Sequence, residues 1–379
     1  MLDVLHGLAG WLPLGLPAFL FVITVVVFFH ELGHFFVARA FNVTVETFSI
    51  GFGRPIARWR DRKGTDWKIG WIPLGGYVKF LGDENAASVP DRKKLEQLTP
   101  KERENVFQSK PLYQRALVVA AGPVANFILA IVIFAAVLMV VGQATILTTV
   151  GKVTPGAPAA LAGIRSGDVI HAVNGKQVQT FDELVRAVRA DKSADLVVEF
   201  TRKNQPITVH LKPRVLKTAN LYGDSVKFVG IGIAPALEDT NARFSPVGLV
   251  PALEGAVQQT WFVADTSLTY LWRIVTGHSR SNQLTGPLGM ANVSQQAAAA
   301  GFMNLLQLAA LLSVSIGLIN LFPVPILDGG HLLYYGCEAV LGRPLGERAQ
   351  DVGFRLGLAA VLGLFVLATW NDLVRLNLF

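Results

Sequence analysis

Apolar residues gather into four long blocks along the chain, and between the second and third the pattern changes to short alternating runs. The blocks run from about Leu14 to Ala40, Ala116 to Val141, Leu305 to Phe322 and Phe354 to Trp370. A helix needs about 20 mostly apolar residues to cross a hydrocarbon core, so each block predicts a transmembrane helix. The first is not expected to be a cleaved signal peptide, because no Lys or Arg precedes it and its apolar run is too long.

The stretches between blocks read differently. In Lys68–Leu81, short β-type runs flank Leu74-Gly75-Gly76, which predicts a membrane-associated β-hairpin turning at those residues. Residues 83–110 are charged and predict a solvated, partly helical stretch. From 145 to 236 the composition is that of a soluble module. Val169–Val173 reads as a strand and Asn174-Gly175 as a hairpin turn. Thr180-Phe181-Asp182-Glu183 is a capping-box pattern opening a helix with Leu184, Val185 and Val188 on one face. Lys203–Leu211 supplies another strand. Residues 246–275 carry Trp261, Phe262, Tyr270 and Trp272, but Glu254 and Asp265 favour a helix lying in the interface over a fifth span.

The layout is that of an α-helical polytopic membrane protein with about four transmembrane helices and an inserted α/β module. Its predicted parts are a first helix (1–41), a loop with the β-hairpin (42–113), a second helix (114–142) and the module (145–236). An interfacial segment (240–302), a third helix (303–335) and a fourth (354–372) complete the chain.

Composition sharpens this picture. Of 379 residues 51% are hydrophobic and 16% charged, against about 25% charged in soluble domains. One cysteine, Cys337, excludes a disulfide framework and a Cys-rich metal site. The net charge of +7 does not indicate nucleic-acid binding, since no basic run is interleaved with aromatic residues. It reflects Lys and Arg near span ends: Arg39, Arg54, Lys101, Arg103, Lys110, Arg115, Arg343, Arg348 and Arg355 flank one side, and Lys152, Arg280 and Arg375 the other. The positive-inside rule then places residues 41–115 in the cytoplasm and the module outside it.

His30-Glu31-Leu32-Gly33-His34 interrupts the first span with an H-E-x-x-H pattern. Residues i and i+4 share a helix face, so both imidazoles can reach one metal ion, with Glu31 beside it to take a proton from water as general base. Such polar residues inside a span cost several kcal/mol unless they face a polar interior or bind something. The bland alternative is a His-Glu hydrogen-bonding cluster that packs helices together. Catalytic zinc usually has three protein ligands. His6, His171, His210 and His278 lie in interfacial segments or in the module. Near the third span Pro323 and Pro325 must break the helix, opening backbone into a cavity. Asp328, at the end of that break, is the best third ligand and His331 its rival; Asp328 also suits a turn before Gly329-Gly330.

With these residues in place the chain resembles the site-2 protease family of intramembrane metalloproteases, and most of all its bacterial regulator-of-sigma-E protease branch. The resemblance is carried by HELGH at 30–34, SIGFGRPI at 49–56, GWIPLGGYVKF at 70–80, AGPVAN at 121–126, TGPLGMA at 285–291 and NLFPVPILDGGH at 320–331. They stand in the family's order and cover nearly the whole chain. The resemblance implies that His30, His34 and Asp328 bind Zn2+ and that Glu31 is the catalytic base. It implies that the module is PDZ-like, on GAPAALAGIRSGDVIHAVNGKQV at 156–178, although the best-known members of the branch carry two PDZ domains and this chain has room for one.

The activity implied by the resemblance is that of a zinc endopeptidase of the bacterial inner membrane. Its partners would be the lipid bilayer and single-span membrane proteins, such as anti-sigma factors or remnant signal peptides. The active site would face the cytoplasm and the PDZ-like module the periplasm. A catalytically silent scaffold with a structural zinc and a partner-binding PDZ domain is the alternative, and Glu31 argues against it. The hairpin, through Gly75, Gly76 and Tyr77, is a candidate edge for an extended substrate. Asn126 and Asn320 are candidates for holding the substrate backbone or the oxyanion, as the resemblance suggests, with helix-to-helix contact as the plainer role of Asn126. Gly122-Pro123 reads as a kink, and Val150-Gly151 and Phe228–Ile231 compete as carboxylate-binding loops of the module.

Overall fold

The computed structural model describes residues 2–83, 97–190, 195–219, 225–236, 241–278 and 285–375. The sequence readings at 84–96 and Arg280, and the side chain of His6, lie outside the described residues. The chain divides into two compact units, one of Met1–Val137 with Ala252–Phe379 and one of Leu138–Pro251.

The first unit is built on long helices. Helix α1 is Leu2–Ala40, α2 is Leu112–Val140 and α4 is Leu249–Val275. Beyond them come α5 (Pro287–Ala299), α6 (Phe302–Asn320), α7 (Asp328–Leu341) and α8 (Glu347–Arg375). Among the described residues, four helical stretches are long and apolar enough to cross a membrane: Pro13–Ala40, Leu112–Val140, Phe302–Asn320 and Arg348–Val374. This is a multi-pass membrane protein. The predicted third helix, 303–335, is two helices, because Pro323 and Pro325 hold residues 321–327 out of helical form. Helix α4 runs without interruption past Glu254 and Asp265.

Strands β1 (Val45–Arg60) and β2 (Asp66–Phe80) correct the predicted hairpin. The chain turns at residues 61–65, not at 74–76, which lie inside β2. Gly75 has a φ of 105°, so Leu74-Gly75-Gly76 makes an irregularity in a continuing strand rather than a reversal. Each strand is bent double. Residues 47–50 pair with 76–79 on one side and with 66–69 on the other, while 57–60 pair with 66–69. Four runs therefore lie side by side in the order 57–60, 66–69, 47–50 and 76–79. The bends fall at Gly51 and Gly53, both at positive φ, and in the stretch from Gly70 to Gly75.

A shared core fixes this sheet to the helices. Phe35 and Ala38 of α1, Phe48 of β1, Val78 and Phe80 of β2, and Val118 of α2 are all buried in it. Phe48 stacks on Trp67 at 4.4 Å between ring centroids. Asp61 ties the turn to the end of α1. It accepts hydrogen bonds from Arg39 Nη2, Trp67 Nε1 (3.2 Å) and the backbone N–H groups of Lys63 (2.9 Å) and Thr65 (3.1 Å). Burial opposes its charge, but the bonds from Trp67, Thr65, Arg39 and Lys63 outweigh that and lower its pKa to about 2. A lowered carboxylate pKa gives stability that is complete above the ordinary value of about 4 and is lost as pH falls through the folded value. The thermal stability of the wild type should accordingly exceed that of Asp61→Asn by a constant amount above about pH 5, and the gap should narrow from about pH 4 and be gone below about pH 2. A gap of the same size from pH 6 to pH 3 would sink this role for Asp61.

Helix α5 has no side-chain cap of its own. Asp372 of α8, only 1% exposed, supplies one by accepting from the N–H groups of Gly286 (3.0 Å) and Gly289 (2.9 Å). No local sequence signal pairs residues 86 positions apart.

The second unit contains a four-stranded sheet in the order β6-β5-β7-β8. These strands are β5 (Val169–Val173), β6 (Lys176–Gln177), β7 (Leu196–Arg202) and β8 (Gln205–Leu211). Asn174 and Gly175 are both at positive φ, as a tight hairpin turn requires. The strand expected to begin at Lys203 begins at Gln205, because Lys203 and Asn204 form a second such turn. Helix α3 (Phe181–Ala190) buries Leu184 and Val188, and Thr180 Oγ1 accepts from Glu183 N–H at 3.1 Å. The unit is wider than the predicted 145–236, because β3 (Gln143–Ile146) pairs with β12 (Ala242–Ser245) and closes it.

Candidate metal centre

His30 and His34 stand one turn apart on α1, and Asp328 is the first residue of α7. The break at 321–327 brings Asp328 to them. The Asp328 Oδ2 atom is 3.1 Å from His30 Nε2 and 3.5 Å from His34 Nε2, and the two Nε2 atoms are 3.2 Å apart. Among the described residues, this is the one group of three or more His, Cys, Asp or Glu side chains whose ligand atoms converge within 4.8 Å.

The donor set fits zinc. Ligands about 2.0–2.2 Å from a tetrahedral ion stand about 3.3–3.6 Å apart, close to all three separations. The hydrogen bonding agrees. His34 Nδ1 donates to the Val118 carbonyl at 2.8 Å, so in the neutral ring Nε2 carries a lone pair. That lone pair faces Asp328 Oδ2, which is buried without a hydrogen-bond partner. Acceptors crowded in this way repel one another unless a cation lies between them.

Helix α2 forms the back wall. A Cβ at Gly122 would collide with His34 Nε2 and would come within 2.9 Å of His30 Cε1. A Cβ at Gly33 would meet the Ala121 carbonyl and come within 2.8 Å of Ala125 Cβ. The two helices therefore cross at glycines, and Gly122 does more than kink its helix: its bare backbone makes room for both imidazoles. Arg115, in the first turn of α2, holds Glu338 of α7 in a two-pronged ion pair (2.6 and 3.2 Å), fixing the helix that begins with Asp328.

Glu31 points to the sheet. A Cβ at Gly76 would lie 3.5 Å from Glu31 Cγ, and the backbone of Val78 lies beside the carboxylate. The outer run of the sheet thus passes over the carboxylate. Gly75 and Tyr77 pack on Phe52, with the Tyr77 and Phe52 rings stacked at 6.0 Å.

The remaining candidates are placed elsewhere. Asn126 is wholly buried, with Nδ2 3.3 Å from His30 Nδ1, and its backbone carbonyl accepts from Ser313 Oγ at 2.8 Å. Those contacts seat it behind a histidine, not on a surface that a substrate backbone could reach. Asn320 ends α6, half-buried at the start of the break. His331 lies one turn beyond Asp328, outside the converging group. His171 bonds Thr201 Oγ1 at 2.7 Å, His278 bonds Thr276 Oγ1 at 2.9 Å, and His210 is exposed on β8.

Residues 18–364 match the model of peptidase family M50. A protein of Rhizobium meliloti named as a zinc metalloprotease is 42% identical, over 94% of this chain and 96% of its own length. One from Agrobacterium fabrum, similarly named, is 40% identical over 99% of this chain and its own full length. The metalloprotease MmpA of Caulobacter vibrioides is 41% identical over 96% of each chain.

Proposed function

This chain belongs to peptidase family M50, the site-2 protease type, and is a zinc metalloprotease; we propose that it hydrolyses peptide bonds inside membrane-spanning segments of other proteins. The observation that carries the proposal is the triangle of His30 Nε2, His34 Nε2 and Asp328 Oδ2 set into an apolar helix, with Glu31 beside it under the sheet edge.

In this reading His30, His34 and Asp328 hold the zinc ion. A bound zinc ion polarises a carbonyl as a Lewis acid and makes water acidic enough to lose a proton near neutral pH. Glu31 takes that proton and returns it to the leaving amine. A helical substrate keeps its carbonyls in internal hydrogen bonds, so it must unwind locally to be cut. The outer run at Gly76–Val78 offers a place for the unwound strand. This run pairs with residues 47–50 on its inner side, so its outer edge is where an extended segment would add.

The second unit is PDZ-like in this reading. A groove runs between α3, with Phe181, Leu184 and Val188, and the segment Phe228–Ile233. That favours Phe228–Ile231 over Val150-Gly151 as its chain-end loop. Lys and Arg at the span ends support a cytoplasmic-membrane protein with residues 41–115 in the cytoplasm and the PDZ-like unit outside. Single-span proteins such as anti-sigma factors or remnant signal peptides are the substrates that the family resemblance suggests.

Purified protein in lipid vesicles with a single-span test substrate should cut within the apolar segment. A zinc chelator should stop cleavage and added zinc should restore it. Cleavage confined to the water-exposed flanks, or indifferent to chelation, would refute the proposal.

A further inference from the structure

Asn126 is 0% exposed and belongs to the second helix, yet its amide meets a histidine ring of the first; its amide nitrogen lies 3.3 Å from His30 Nδ1 while its Oδ1 is buried without a hydrogen-bond partner. If Nδ2 donated to Nδ1, a neutral His30 would carry its proton on Nε2. That atom faces His34 Nε2 at 3.2 Å and Asp328 Oδ2 at 3.1 Å, and it could then hold no metal. With the lone pair on Nε2, the proton sits on Nδ1 and needs an acceptor. A half-turn of the carboxamide presents Oδ1 to Nδ1 and gives that oxygen a donor, with Nδ2 taking its former place.

We infer that Asn126 is a positioning residue for the metal centre: its Oδ1 accepts from His30 Nδ1–H and holds the ring with Nε2 bare toward the ion. His34 is treated in the same way by the Val118 carbonyl at 2.8 Å. Helix α2 thus orients both histidines, one through its backbone and one through a side chain, four residues either side of Gly122. Asn126 is itself fixed from behind. Ser313 Oγ donates to its carbonyl at 2.8 Å, and a Cβ at Gly317 would lie 3.1 Å from Asn126 Cβ. The inference rests on His30, His34 and Asp328 being the zinc ligands.

The test is zinc affinity, read by chelator competition on the full-length protein in vesicles, together with the visible spectrum of the cobalt-loaded form. Asn126→Leu keeps the size but loses the acceptor, and should weaken zinc binding about 10–100-fold and shift the cobalt bands. Asn126→Asp restores an acceptor and should return affinity to within a few-fold of the wild type. Ser313→Ala loosens the packing without touching the amide and should leave affinity within about twofold; Asn126→Ala reads the same loss if the leucine variant does not fold. Wild-type affinity in Asn126→Leu, no rescue in Asn126→Asp, or an equal loss in Ser313→Ala would each overturn the inference. His30→Ala separates it from the reading beneath it: unchanged zinc binding in that variant would remove the ligand assignment itself.

Discussion

Glu31→Gln is expected to keep a full complement of zinc and to lose cleavage by at least about a hundredfold, the lower end of what a positioned general base contributes. Glutamine fills the same space beside Gly76 and keeps an acceptor oxygen, so the sheet edge has no reason to move. What it cannot do is take a proton from water near neutral pH. None of the three converging ligand atoms belongs to Glu31, so metal content should not change. Zinc analysis and cleavage of a single-span substrate, on the same preparation, decide the matter. A glutamine variant that still cuts would show that the proton leaves by another route. One that loses its zinc would show that Glu31 belongs to the metal shell.

Gly122→Ala carries the second large effect, and general helix chemistry predicts the opposite sign. In an unconstrained helix interior, alanine is better than glycine by about 0.8–1.0 kcal/mol. Here the new methyl would run into His34 Nε2 and stand 2.9 Å from His30 Cε1. Neither ring can retreat freely, since His34 is tied to the Val118 carbonyl and His30 abuts Asn126. Overpacking typically costs about 1–3 kcal/mol, more than helix propensity returns. The variant should melt at lower temperature and bind zinc at least about tenfold more weakly, because the cost falls on both histidines at once. Thermal unfolding with and without chelator would check this. A raised melting temperature with full zinc content would mean that the helix crossing has slack.

The convergence of His30 and His34 was legible because i and i+4 on a helix face share a direction, whatever surrounds them. Asp328 was legible because two prolines must break a helix and the break needs a polar purpose. Gly122 was not, because a glycine beside a proline reads as a kink until the neighbour across the gap is known. Asp372 was hidden for a related reason: its partners, Gly286 and Gly289, lie in another helix far along the chain. At Leu74-Gly75-Gly76, two adjacent glycines look like a reversal, but Gly75 at positive φ under the Phe52 ring makes a bend in a strand that goes on. The true turn held its own signal, Asp61 followed by Gly64, with Asp61 receiving the N–H groups of Lys63 and Thr65.

The doubled sheet leaves two open flanks, and they are not alike. The far one, residues 55–60, carries Pro55 and the charged Arg58 and Arg60, the residue types that make an exposed strand a poor template for a stray chain. The near one, residues 76–79, lacks proline, carries Lys79 paired with Glu46, and passes over Glu31. Both flanks thus carry a charge against stray pairing, but only the far one adds a proline, and under the proposed function that difference leaves the near flank the easier one for an extended segment to join.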